Sequence, residues 1–250
     1  MSVATSYSSS GRVNFGWIGE SFEIYKRDAG VWSFSVLISL LSGFAISFIF
    51  NIAFYTAEIP SIIVNHTVDP AARQNPISQI FVFVLNLAIE SFFYAGLFTM
   101  ANKAVRGQRL NISDLFSGAP QLLSILFYKL GYLLLMLAGY IACGVGAFFS
   151  WYLFWPGFAL VADGEEPGVA FSRVFEGMKQ DVWNGAAFAF ALGVVVVLSC
   201  LPCFLGWFVT YPMSIIIAAL ACRDMIKPIA PPSAEVQPGS WPPPPTEGPS

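Results

Sequence analysis

Charge is scarce in this chain. Asp, Glu, Lys and Arg together make up 11% of its 250 residues, against about 25% in an ordinary soluble domain. That is too little charged surface to keep a soluble domain dissolved. Histidine occurs once, at His66 near Asp69. A metal centre needs clustered His, Cys or carboxylate ligands, and one histidine in a loop is no cluster. No Gly-rich phosphate loop occurs, and no serine has a partner base in its neighbourhood, so a hydrolase has no foothold. No catalytic, cofactor-binding or metal-binding residue is assigned, no enzymatic activity is expected, and nothing points to nucleic acid. A cleavable leader is not expected either. The first 28 residues have no apolar core, and the first apolar run is too long for a signal segment.

What the chain has is hydrophobic residues, 56% of the total, with 24 phenylalanines. The few charges are also unevenly placed. None falls between Asp28 and Glu58, only Glu90 between Arg73 and Lys103, only Lys129 between Asp114 and Asp163, and none between Asp181 and Arg223. About 20 apolar residues cross roughly 30 Å of hydrocarbon. The first two windows each hold one span and the last two each hold a pair with a tight turn. The expected fold is all-α and polytopic: six transmembrane helices in three hairpins, near 29–55, 77–101, 121–142, 147–162, 184–201 and 205–222.

Six spans put both termini on one side. Arg12, Lys26, Arg27, Lys103, Arg106, Arg109, Arg173, Lys179, Arg223 and Lys227 all fall on that side, the opposite side keeps Arg73, and Lys129 lies within a span. The positive-inside rule makes the basic side cytoplasmic. A multi-pass protein of the cell membrane with both termini inside is expected. The net charge of −3 carries no message about partners, because the asymmetry matters and the sum does not.

Residues 1–13 are Ser-rich and expected to be disordered, and 14–227 form the membrane domain. From 228 to 250 Pro, Ser and Gly dominate, a composition that cannot bury a core and reads as an extended cytoplasmic tether. Within the domain, Phe22-Glu-Ile-Tyr-Lys-Arg-Asp28 returns as Phe175-Glu-Gly-Met-Lys-Gln-Asp181, with Trp32 and Trp183 following. Phe22/Tyr25 and Phe175/Met178 stand on an apolar side, with Phe171 and Val174 extending the second copy. Glu23/Lys26 and Glu176/Lys179 stand on a polar side. Each copy reads as an amphipathic helix in the headgroup layer ahead of a span. A third stretch, Ile112, Leu115, Phe116 and Ala119, has the helical stripe but lacks the Glu, Lys and Asp.

Two charges fall inside spans. Glu90 and Lys129 read either as a structural ion pair between spans two and three or as a gated polar site on a proton or solute path. Cys143, Cys200 and Cys203 fall at outer-face turns, where they are small apolar packers, a disulfide or a redox pair. Pro156 and Pro212 interrupt spans four and six, each after an aromatic residue. Such breaks shape packing and also make transporter sites.

Arg106-Gly107 with Asp114-Leu-Phe-Ser-Gly118, and Pro156-Gly157 leading to Asp163, Ala170, Ser172, Gly177 and Lys179, resemble a broad group of bacterial six-span integral membrane proteins of unknown function. The group includes the membrane domain attached to some glycerophosphodiester phosphodiesterases. The resemblance covers about 15–227 and implies an all-helical bacterial membrane domain. It does not imply the phosphodiesterase activity, since no soluble catalytic domain is present in this sequence. The leading expectation is a non-enzymatic accessory or interaction protein. It would engage membrane lipids, or a protein partner through the Pro-rich tail. The alternative is a small transporter or channel centred on Glu90 and Lys129, and a membrane redox or lipid-modifying enzyme comes third.

Overall fold

The computed structural model describes residues 13–65, 76–141, 145–200 and 206–226. Their regular structure is all helical, with no strand among them. The chain forms α1 (Trp17–Arg27), α2 (Ala29–Asn65), α3 (Pro76–Val105), α4 (Leu122–Ile141), α5 (Val145–Phe154), α6 (Gly157–Ala162), α7 (Pro167–Met178), α8 (Val182–Cys200) and α9 (Trp207–Ala221). Four helical stretches among the described residues are long and apolar enough to cross a membrane: Ala29–Ile49, Ile80–Val105, Ile112–Ile141 and Phe208–Ile226. Helix is the expected outcome for such runs, because hydrocarbon offers backbone N–H and C=O groups no partner outside the segment itself.

α3 is the hub, packing against α2, α4, α6 and α9. Its inward face is small, with Ala95, Gly96, Ala101 and Ala104 buried, and α9 matches it with Ala218, Ala219 and Ala221. Small residues let backbones come close where lipid tails provide no hydrophobic drive between helices. Phe44, Phe48, Ile80, Phe83, Phe127 and Leu134 point outward instead. So many large exposed apolar side chains are what a bilayer covers.

The boundaries differ from the sequence expectation in three places. α2 runs through Pro60 to Asn65 rather than ending near 55, since Ile62, Ile63 and Val64 carry on the apolar run. The stretch after α3 forms tight 3₁₀ turns at Ile112–Phe116 and Ala119–Gln121 instead of an amphipathic helix. α9 runs unbroken through Pro212, where an interruption of span six was expected. The fourth span is broken into α5 and α6 at Trp155-Pro156 as the sequence suggested, where proline has no N–H to continue the ladder. The break is stitched by Tyr128, whose hydroxyl donates to the Phe154 carbonyl at 2.7 Å. Tyr128 fits because residue 157 is glycine. A Cβ there would stand 1.9 Å from the tyrosine oxygen. α4 and α5 are antiparallel neighbours, with Tyr128 meeting Phe154 and Leu135 meeting Ser150.

Candidate functional site

One end of the bundle is polar, and of the basic residues among those described only Lys129 lies away from it. The local sequence explains how this end is built. The Asn111 side chain caps the Ile112–Phe116 turn by accepting from Ser113 N, and Asp114 accepts from Asn111 N at 2.8 Å in return. That reciprocal box satisfies two orphan donors and aims the other Asp114 oxygen at Lys103, 2.6 Å away. Gly118 presses the turn against α3: a Cβ there would lie 2.4 Å from the Ala95 carbonyl carbon, and one on Gly96 would lie 1.8 Å from the Leu115 oxygen. Arg106 pairs with Asp163, and buried Asn102 donates to Asp163 and to the Ala159 carbonyl. Arg27 donates to the Ala104 and Gln108 carbonyls at the end of α3, where a cation is favoured by the helix dipole. Arg106, Asp114 and Asp163 thus stand together at this one end.

The first and last described segments close there as well. The last described residues, Cys222–Ile226, form a single π-helical turn. From it Arg223 pairs with Glu20 at 2.9 Å and with Asp224 at 2.6 Å, while the Trp17 indole donates to Asp224 at 2.8 Å. Val13 N donates to Asp181 at 3.0 Å. α1 is therefore fastened to the end of α9 and to the start of α8.

The repeated heptapeptides have a common geometry. In α1 the buried row is Trp17, Ser21 and Tyr25, and in α7 it is Ala170, Val174 and Met178. With Phe22 aligned on Phe175 these rows coincide position for position. Each Phe follows the middle of its row by one residue, about 100° around the helix, and each is exposed. In both copies the Glu meets the Lys three residues on at 2.7 Å. The same Lys stands over the Phe ring, at 4.9 Å in the first copy and 5.6 Å in the second. The apolar side of each helix is therefore divided. Tyr25 and Met178 turn inward, Phe171 stacks on Tyr128 at 4.2 Å, and Phe22 and Phe175 remain outside. The tryptophans part company. Trp32 is fully buried, whereas Trp183 is 82% exposed. Trp32 lies ten residues after Phe22 and Trp183 eight after Phe175, each on the helix that follows its copy.

Midway along α3, Lys129 Nζ donates to Glu90 Oε2. The two charges sit very differently. The Lys129 side chain is 9% exposed and the Glu90 side chain 61% exposed. Lys129 Nζ also lies 4.7 Å from the centroid of the Tyr94 ring. Tyr94 is held by a hydrogen bond with Tyr211 and by edge contacts with Trp155 and Phe158, at 6.0 and 5.5 Å. The ammonium is thus clasped between a carboxylate and an aromatic face.

Sequence reading singled out Glu90, Lys129 and the repeated helices. It missed Asn102, Lys103, Glu20, Trp17 and Asp224, although Asn102-Lys103 at the close of an apolar window was a usable signal. Cys143, Cys203, His66 and the tail lie outside the described residues, as does the side chain of Cys200. Cys222 is buried. Among the described residues no group of three or more His, Cys, Asp or Glu side chains is placed to hold a metal ion. Comparison with protein-family models, curated proteins and solved structures finds no match.

Proposed function

We propose that this chain is a six-span accessory protein of the bacterial cytoplasmic membrane. Both termini lie inside, and it grips the headgroup layer through the paired units Phe22-Glu23-Lys26 and Phe175-Glu176-Lys179. The four long apolar stretches supply four spans. α5–α6, running back along α4, and α8, leading to α9, supply the other two. The basic end faces the cytoplasm under the positive-inside rule. The resemblance to bacterial six-span proteins belongs to the same reading, and it carries no enzymatic activity with it.

The observation behind this reading is that two separate helices reproduce one arrangement. Each has an inward row, an exposed phenylalanine beside it, and a lysine over the ring. An exposed Phe suits the boundary of the acyl chains, and a lysine above it reaches phosphate while its stem covers apolar surface. The Glu–Lys pair holds that lysine upright, although an exposed pair itself contributes little stability, about 0.3–0.5 kcal/mol. The test uses inverted vesicles and a soluble protease. Phe22→Asp or Phe175→Asp should open α1 or α7 to cleavage, and Glu176→Ala should leave protection nearly unchanged. Equal protection in all three variants would contradict the interfacial role.

A further inference from the structure

Glu90 is the polar group that the accessory reading leaves without a purpose. It lies 13 residues before Lys103, about 20 Å along the helix, and so deep in a hydrocarbon layer of about 30 Å. Its side chain is on the outer skin of the bundle, one heptad beyond the exposed Phe83. A purely structural pair is expected to bury both members. Here the lysine is buried and the carboxylate faces outward. Among the described residues only Lys129 bonds to it, through Oε2.

The surroundings of Lys129 indicate what the carboxylate recognises. An ammonium between a carboxylate and the face of a fixed tyrosine has the two contacts by which proteins bind organic cations, an ion pair and a cation–π contact. The protein's own lysine fills that place from the inside, and the outward side of the carboxylate is reachable only through the acyl chains. We propose that Glu90, with Tyr94, forms a laterally open binding site for a lipophilic organic cation, and that Lys129 is the tethered cation with which the ligand competes. An inorganic ion does not dissolve in the layer that leads to the site. A cation with a large apolar body does. The proposal rests on the membrane placement above and is independent of the headgroup-gripping units.

The test measures equilibrium binding of radiolabelled tetraphenylphosphonium to the full chain in phosphatidylcholine nanodiscs, with empty nanodiscs subtracted. Wild type should bind saturably, one probe per chain. Glu90→Gln should weaken binding at least tenfold. Lys129→Met, which removes the competitor, should strengthen it at least tenfold, and the double variant should bind as poorly as Glu90→Gln. Tyr94→Leu keeps the ion pair and should weaken binding severalfold, so the proposal can still fail if Lys129→Met does not fold. Binding that is absent in wild type and in Lys129→Met, or equal in wild type and Glu90→Gln, overturns it. So does a Glu90→Cys variant that crosslinks to a second copy while wild type ignores the probe, since that face is then a self-association surface. A chain that does not insert into nanodiscs at all refutes the membrane placement instead, and the two failures are distinguishable.

Discussion

Removing one partner of the Glu90–Lys129 pair tests how the two charges depend on each other, and the structure sets the size of the effect. Glu90→Gln leaves a cation that is almost wholly enclosed by protein. Breaking a buried ion pair from one side costs about 3–5 kcal/mol. The Tyr94 ring 4.7 Å away offsets about 1 kcal/mol of that, so a loss near 3 kcal/mol is expected. Lys129→Met acts differently. Methionine fills the space of the lysine stem, and the carboxylate it abandons already faces outward. The loss there is one charge-assisted hydrogen bond, about 2 kcal/mol, together with the cost of an unpaired charge facing acyl chains, about 3 kcal/mol. In the double variant neither charge needs the other, and the total should fall at least about 2 kcal/mol short of the sum of the single losses. The assay is unfolding by dodecyl sulfate in lipid bicelles, followed by circular dichroism, where the skin of the bundle stays in contact with acyl chains. Additive losses would mean that Lys129 turns to other partners and that Glu90 is alone on the surface. The pairing argument would then be wrong.

Two further outcomes follow from the same geometry. Gly118→Val should cost about 1–3 kcal/mol by overpacking and push the Ile112–Phe116 turn off α3, because its nearest obstacle is backbone that cannot rotate away. Gly168→Ala, where an added Cβ meets nothing within 4 Å, should be neutral or slightly stabilising. Thermal unfolding in mild detergent distinguishes the two. For topology, reporters fused after Lys227 and within 102–120 should read cytoplasmic and one within 56–76 external. An external C-terminus would refute the six-span count.

The two lone charges were legible as partners because each stood by itself in an apolar window, and unaccompanied charges in hydrocarbon seek each other. Which one faces outward was not legible, because it depends on how α3 is rotated against α4. That rotation is set by packing, by small residues such as Ala95 and Gly96, and no periodic pattern marks it: α3 is apolar all round. The same limit explains Trp32. Its position just after a charged stretch fits an interfacial indole, but it falls on the buried face of α2. The contacts between Trp17 and Asp224, and between Glu20 and Arg223, join residues some two hundred positions apart. Nothing local in the sequence announces them. The turn at Ile112–Phe116 shows the opposite case. Its stripe, Ile112, Leu115, Phe116 and Ala119, was readable as a helix, but Gly118 had to lie flat on α3, and that close approach favoured a tight turn over a longer amphipathic helix.

Under the proposed reading, the way α1 and α7 are fastened explains why the chain carries the Phe-Glu-Lys unit twice. α1 is tied to the last turn of the bundle by Glu20–Arg223 and Trp17–Asp224, and α7 packs on that same turn. Neither unit is free to swing independently. A single phenylalanine and lysine at a headgroup boundary hold weakly. Two units on one rigid frame convert the second contact into an intramolecular event, whose effective concentration is high when the geometry is fixed and lost when it is not. On that reading the pairing of Arg223 with Glu20 and Asp224 would act on membrane attachment indirectly, by keeping the two helices in register with one another. Under the proposed reading the polar end is a platform whose stiffness lets two weak contacts act as one.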